Sequence, residues 1–273
     1  MWTNEIVRWV VGDTQFLSVP FTWLMPEARR VEAAWRGRTV IGGPGVMKPT
    51  EYLDPTNEPV RMHNPLATFT TRGCPNACSF CAVPKLEPDF YEIYEFQPAP
   101  IVCDNNLLAA SQVHIRRVIE SLRHFPYADF NQGFDARLFT PEIADMIGGV
   151  RAKVRFAFDS WADEGVVKDA IDLCRKRASN KIGVYCLVGF DDTPDDAIAK
   201  LELIRSWGIR PTAMRYQPLD AETKNSHVAS EWTERALRRV TRYYNRLRWL
   251  EHIPFSEYRY TPEDHGQLVM EST

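Results

Sequence analysis

No run of eighteen apolar residues occurs anywhere in the chain, so no stretch of it is long enough to cross a membrane as a helix. The opening Met1-Trp2-Thr3-Asn4-Glu5-Ile6-Val7-Arg8 has no basic segment leading into an apolar one, the mark of a secretory leader. Its six cysteines are too few and too unevenly spread for the disulfide framework of a small secreted domain. A cytoplasmic, reducing setting is the expectation. Charge of one sign is also scarce. Lys and Arg number 33 against 36 Asp and Glu, a net −3, so no global field points to a nucleic-acid partner. Internal repeats and low-complexity tracts are absent. What is present is an ordinary globular composition, 44% apolar and 25% charged over 273 residues, enough for one large barrel or two modest domains.

The most informative shortage is a missing ligand. Cys74, Cys78 and Cys81 form a C-x3-C-x2-C pattern within Thr70-Thr71-Arg72-Gly73-Cys74-Pro75-Asn76-Ala77-Cys78-Ser79-Phe80-Cys81. No fourth Cys or His follows at metal-ligand spacing. Three thiolates this close hold three corners of a soft-metal site. A structural zinc site is closed by four ligands, whereas a site that does chemistry keeps a position open. With three thiolates fixed, a cubane iron–sulfur cluster leaves one iron for a chelating small molecule. A zinc site completed by a distant Cys or His is the alternative. Cys174 and Cys186 read as core.

Along the chain, residues 15–23 read as a strand broken late by Pro20, 25–36 as a helix with Pro26 in its first turn, and 38–42 as a second strand. This β-α-β unit ends in Gly42-Gly43-Pro44-Gly45, read as a tight turn rather than a phosphate cradle. Residues 48–64 carry Pro49, Pro55 and Pro59 and read as a linker. From residue 66, strands at 66–71, 101–103, 128–131, 153–158, 181–188 and 212–217 alternate with helices at 107–124, from Pro141, at 163–177 and from Pro194 to about Trp207. Residues 231–250 read as one long final helix. Such alternation predicts a parallel sheet. Six strands are too few for a closed eight-stranded barrel, so the expected fold class is α/β with an open, partial (β/α)6 barrel. The expected divisions are 1–64 for the truncated N-terminal unit and linker, 65–220 for the barrel and 221–273 for a C-terminal helical extension.

Polar residues gather at the predicted C-terminal ends of the strands, the edge where parallel α/β proteins bind ligands. The cysteine loop follows the first strand and shares that edge. Asp104, Asn105 and Asn106 supply acceptors suited to an ammonium, and Asp159 with Ser160 suits a ribose diol. Both groups also suit a helix N-cap. Asp135 and Arg137 read either as a loop ion pair or as substrate contacts. Arg215 and Gln217 lie on the sixth strand, where alternate residues face opposite sides. Cys103, at the end of the second strand, is a candidate hydrogen-atom donor; its other reading is a small buried hydrophobe.

The C-x3-C-x-aromatic-C stretch after a first strand resembles the signature of the radical S-adenosylmethionine (radical SAM) superfamily. The longer run Thr-Thr-Arg-Gly-Cys-Pro-Asn-Ala-Cys-Ser-Phe-Cys-Ala-Val-Pro is similar to the same stretch in methylthiotransferases and in members with cobalamin-type N-terminal domains. The resemblance covers roughly residues 66–218. It implies a 4Fe-4S cluster on Cys74, Cys78 and Cys81, with SAM chelating the open iron. Reductive cleavage of SAM would give methionine and a 5′-deoxyadenosyl radical that abstracts hydrogen from a substrate. It places Phe80 near the adenine, and Asp104, Asn105 and Asn106 where relatives hold the methionine ammonium. Asp159 and Ser160 fall where relatives show a Glu-Ser pair, and Gly189 in a glycine-bearing turn after the fifth strand. This chain has Asp-Asn-Asn where relatives carry a Gly-Gly-Glu type motif. Oxygen sensitivity and a flavodoxin or ferredoxin-type electron donor are implied as well.

The flanks narrow this by exclusion. The N-terminal unit is similar to the last part of a flavodoxin-like cobalamin domain, but the early strands and a D-x-H-x-x-G motif are missing, so cobalamin is not expected. Methylthiotransferases bring a three-cysteine N-terminal domain and a C-terminal nucleic-acid-binding barrel. Neither is here, which demotes methyl and methylthio transfer. The helix read at 231–250 carries Arg235, Arg238, Arg239, Arg242, Arg246 and Arg248 with Tyr243, Tyr244 and Trp249. It reads either as a nucleic-acid contact or as an amphipathic helix packing Leu237, Val240, Tyr244 and Leu247 on the barrel. The expected function is radical SAM chemistry on an unidentified nucleotide, nucleic-acid, small-molecule or peptide substrate; a non-catalytic iron–sulfur or zinc protein is the alternative.

Overall fold

The computed structural model describes residues 2–47, 59–178 and 180–260. Most of the expected linker and residues 261–273 of the expected extension lie outside that range. The chain starts with a hairpin: β1 (Val7–Val11) pairs antiparallel with β2 (Thr14–Ser18) through the two-residue loop Gly12-Asp13. Gly12 has φ +62°, the left-handed geometry that a loop matched to strand twist requires at its first position. α1 (Met25–Ala33) crosses over, and β3 (Arg38–Gly42) returns parallel to β2. The expected β-α-β unit is therefore present, with a shorter first strand. Pro20 has no N–H to donate, and residues Thr22–Leu24 coil into a 3-10 turn, so the strand ends at Ser18. β1 lies outside that expected unit and makes the sheet mixed rather than parallel throughout. Leu17, Val19 and Ala28 form its own small core.

After α2 (Pro59–His63) come β4 (Ala67–Thr68), β5 (Thr71–Arg72), α3 (Val83–Leu86) and β6 (Tyr91–Glu92). β5 and β6 pair antiparallel as a small ribbon that brackets the cysteine loop. The rest of the chain alternates: β7 (Ile101–Val102), α4 (Gln112–Leu122), β8 (Ala128–Phe130), α5 (Pro141–Gly148), β9 (Ala152–Ala157), α6 (Glu164–Arg177), β10 (Lys181–Val188), α7 (Pro194–Ser206) and β11 (Pro211–Arg215). β4, β7, β8, β9, β10 and β11 form one parallel sheet in that order, which never reverses. With right-handed crossovers, such an order puts every crossover helix on one face. Ser111, Thr140 and Thr193 start α4, α5 and α7 by accepting a hydrogen bond from the third helical N–H, and Asp196 completes a capping box on Thr193. The helix expected at 107–124 accordingly restarts at Ser111, after a separate 3-10 turn at Leu107–Ala109.

The helix-side face of the sheet is apolar. Val102, Phe130, Val154, Phe156, Val184, Cys186 and Val188 are buried in one core with Ile115, Ile147, Ile171 and Leu201. Each fully buried Leu, Ile or Phe side chain contributes about 1.5–3 kcal/mol. The opposite face carries Asp129, Arg155 and Tyr185. Arg155 pairs with Asp129 and donates to the Phe130 carbonyl at 3.0 Å, and the Tyr185 hydroxyl donates to the Asn131 carbonyl at 2.8 Å. The N-terminal unit reaches both edges of this sheet. Beside β4, the Ser18 hydroxyl lies 2.9 Å from His63 Nε2, and the Thr3 carbonyl lies 3.3 Å from Nδ1. Burial lowers the His63 pKa, so the ring is neutral, with Nδ1–H donating and Nε2 accepting. Beyond β11, the Thr22 hydroxyl donates to the Ala221 carbonyl.

The last helix is broken, against the expectation of one element over 231–250. α8 (Glu234–Tyr244) stops and α9 (Leu247–Leu250) follows. The cause is Asn245, whose amide exchanges two hydrogen bonds with the Ala213 main chain on β11, at 2.8 and 3.0 Å. Leu237, Val240, Tyr243, Tyr244 and Leu247 are buried, which is the amphipathic packing reading. Among the described residues, no helix is long and apolar enough to cross a membrane.

Candidate functional site

The cysteine loop leaves β5 through Gly73, which has φ +71°. A Cβ there would stand 2.1 Å from the Asp89 carbonyl oxygen, so only glycine fits. Glu87, just past α3, holds this corner. Its carboxylate accepts from Gly73 N–H and from the Asn105 amide, each at 2.9 Å, and pairs with Arg72. Further along, Asn76 donates at 2.9 Å to Asp135, which also takes a bidentate pair from Arg137 at 2.8 and 2.7 Å. The loop is thereby tied at two points to the ends of β7 and β8. Two sulfurs receive N–H donors, Cys81 from Val83 N–H at 3.4 Å and Cys74 from the Asn106 amide at 3.6 Å. Such bonds stabilise sulfur as an anion and tune a thiolate-bound cluster.

The three cysteines open onto a cavity of about 570 Å³. Of the residues expected at the site, Phe80, Asn105, Asn106, Asp135, Arg137, Asp159 and Ser160 line the same cavity. Asn106 is buried, and its Oδ1 has no hydrogen-bond partner, so an unpaired acceptor stands beside Cys74. Asp159 is half-buried, and its partial removal from water raises its carboxyl pKa; it accepts from Leu187 N–H at 2.8 Å. Ser160 caps the 3-10 turn Trp161–Asp163, so the capping alternative is realised there. Phe80 meets Phe190 edge-on at 5.8 Å, and Phe190 meets Tyr216 at 4.6 Å, giving the cavity an aromatic wall.

Five expected residues are not in that lining. Asp104 is buried, accepting from Thr70 N–H at 2.5 Å and from the Thr70 hydroxyl. Burial pushes its carboxyl up to about 6 against those hydrogen bonds. It clamps the strand-to-loop junction, so the acceptor facing the cysteines is Asn106 instead. Gly189 has φ +80°, and a Cβ there would lie 2.6 Å from Leu237, so the glycine lets α8 approach the sheet. Arg215 stands opposite Val188, on the helix side, and is taken up by Glu234 and by the Asn225 and His227 carbonyls at 2.7 and 2.8 Å. Gln217 accepts from Asn225 N–H at 2.6 Å. These two fasten the loop after β11. Cys103 is buried at the floor of a neighbouring cavity, and burial followed by the nearby Asp104 pushes its thiol to about 12, so it is a neutral S–H.

Among the described residues, no three His, Cys, Asp or Glu side chains gather to hold a single metal ion. All three loop cysteines are free. Cys78 stays exposed, and partial desolvation, then the neighbouring Cys81 and Cys74, raises its thiol; desolvation also raises the half-buried Cys81. A cationic metal that replaces the thiol protons lets neighbouring cysteines bind together as thiolates. A polynuclear cluster binds each thiolate to a different iron, so it accepts sulfurs too far apart for one ion. The donor set fits that kind of group.

Sequence reasoning passed over Glu87, Asn76 and Lys200. Lys200 is a buried cation on α7, donating at 3.0 Å to the Asp159 carbonyl and lying 3.5 Å from the Asp192 carboxylate. Its signal is legible: it sits in the stripe Ala197, Lys200, Leu201, Ile204, all buried. No family model, no curated protein and no solved structure matches this chain. Fold and site therefore define a class only: an α/β protein with a six-stranded parallel sheet and a three-cysteine loop at the strand ends.

Proposed function

We propose that the chain is a radical SAM enzyme built on a partial (β/α)6 barrel. The observation that carries this reading is one juxtaposition. A C-x3-C-x2-C loop following the first of six sequential parallel strands shares a cavity with polar groups from the later strand ends. Cys74, Cys78 and Cys81 would hold a 4Fe-4S cluster. When bound, the cluster supplies the electron and the open iron needed to cleave SAM reductively to methionine and a 5′-deoxyadenosyl radical. The chain's own residues have separate tasks. The unpaired Oδ1 of Asn106 accepts an ammonium hydrogen bond beside Cys74. Asp159 and Ser160 suit ribose hydroxyls. Phe80 and Phe190 give the adenine an apolar wall and keep water from a reactive radical. Glu87 and Asp135 fix the loop so that the sulfurs and strand ends stay in register.

The reading implies a flavodoxin or ferredoxin-type electron donor and a reducing compartment. Anaerobic reconstitution with iron and sulfide, followed by SAM and dithionite, tests it. Formation of 5′-deoxyadenosine is expected. A cluster indifferent to SAM, or bound zinc, would make the chain a non-catalytic metal protein instead.

A further inference from the structure

We propose that a second cavity, between the N-terminal sheet and the cysteine-loop side of the main sheet, binds a small, largely apolar, ring-bearing molecule. We infer that this molecule is the substrate of the cysteine site. The substrate role rests on the radical SAM reading; the binding itself does not.

The cavity measures about 650 Å³, within the range of small-molecule sites. Its walls come from separate parts of the chain that meet only in the fold: Phe21 after β2, Val60 on α2, Phe69 after β4, Leu86 on α3, and Tyr91 and Ile93 at β6. Apolar and aromatic side chains dominate this lining. Its charged groups are spent on the protein. Arg72 pairs with Glu87 and stacks 4.0 Å over Phe69, and the neutral His63 uses both ring nitrogens on Thr3 and Ser18. A polyanion needs a row of cations with phosphates as their best partners, and this wall presents none. On α8, outside this wall, Arg238 pairs with Glu234 and Arg239 donates to the Phe255 and Tyr258 carbonyls.

Position gives the cavity its purpose. Asn105 and Gln132 line both this cavity and the cysteine cavity, so the two abut across a pair of amide side chains. A molecule here lies one side-chain layer from the site that would generate the radical. The N-terminal sheet, anchored beside β4 and again beyond β11, closes this space from the side the sheet leaves open. That closure explains the presence of a short α/β unit carrying no cysteine or ligand motif of its own.

The test uses the full chain without cluster and 1-anilinonaphthalene-8-sulfonate as probe, followed by fluorescence titration. One saturable site is expected. Val60→Trp and Ile93→Trp should each weaken it at least tenfold while circular dichroism stays unchanged, and the exposed Val11→Trp on β1 should leave it intact. Folded Val60→Trp and Ile93→Trp proteins that bind the probe like the parent would overturn the proposal. So would tighter binding of a labelled single-stranded oligonucleotide that the probe displaces. The two claims fail separately. Probe binding lost in the occluded variants, with no 5′-deoxyadenosine from the loaded parent, leaves the cavity standing and removes its substrate role. Probe binding indifferent to occlusion, with 5′-deoxyadenosine still formed, removes the cavity and leaves the radical reading.

Discussion

Replacing Asp104 by Asn keeps the side chain's shape and removes its charge. In the parent, burial raises the carboxyl pKa from 3.8 to about 6. The folded protein thus holds this proton to higher pH than the unfolded chain does. Stability then falls as pH rises from about 4 to about 6, and the loss persists above. At about 1.4 kcal/mol per tenfold change in proton affinity, the loss amounts to about 3 kcal/mol. Asn keeps the geometry: its carbonyl accepts from Thr70 N–H, and its amide donates to the Thr70 hydroxyl, which turns to accept. Asp104→Asn should therefore match the parent near pH 4 and exceed it by up to about 3 kcal/mol at pH 8. Urea unfolding of the cluster-free protein across that range measures the difference. A variant less stable than the parent at pH 8 would refute the reasoning. The same variant separates clamp from ligand. SAM affinity should change less than about threefold, or under 0.7 kcal/mol, in Asp104→Asn, whereas Asn106→Leu should lose at least about tenfold. The reverse pattern would return the ammonium to Asp104.

Glu87→Ala strips partners from Arg72, Gly73 and Asn105, and should cost about 3–5 kcal/mol by urea unfolding while lowering iron retained per chain. Gly73→Ala forces a Cβ into the Asp89 carbonyl at φ +71°; a loss of at least about 1–3 kcal/mol and poor cluster loading should follow. Lys200→Met removes the cation facing the Asp192 carboxylate and the donor to the Asp159 carbonyl, and thermal unfolding should show a loss of about 3–5 kcal/mol. Arg215→Ala should destabilise the loop after β11 without changing SAM affinity, because its partners are Glu234 and main-chain carbonyls; a tenfold fall in SAM affinity would place it at the site instead.

Legibility tracked the strength of local signals. The cysteine loop was readable as a candidate site because the C-x3-C-x2-C spacing is a purely local pattern. The six strands were readable because they alternate with capped helices, and Thr140 and Thr193 mark two helix starts in plain sequence. β1 escaped because Val-Arg-Trp-Val-Val lies half exposed with little apolar alternation, although the Gly12-Asp13 pair was a hairpin signal. Asp104 and Asn106 could not be told apart by sequence. Both follow one strand, and only the fold turns one carboxylate toward Thr70 and leaves one amide oxygen unpaired beside Cys74. Arg215 needed the register: a pairing slipped by one residue would have put it on the other face. The break at Asn245 was hidden because it depends on Ala213, 32 residues earlier. Glu87 lay in an irregular, proline-bearing segment with no motif, and its three partners become visible only when that segment folds back on Gly73.

The most direct measurement of the central claim is the SAM- and dithionite-dependent yield of 5′-deoxyadenosine from anaerobically reconstituted protein, with bound iron and sulfide assayed alongside. The account predicts about four irons and four sulfides per chain, with 5′-deoxyadenosine formed by the parent and lost in Cys74→Ala, Cys78→Ala and Cys81→Ala. A fully loaded cluster that yields no 5′-deoxyadenosine, or a yield unaffected by those three substitutions, would contradict it.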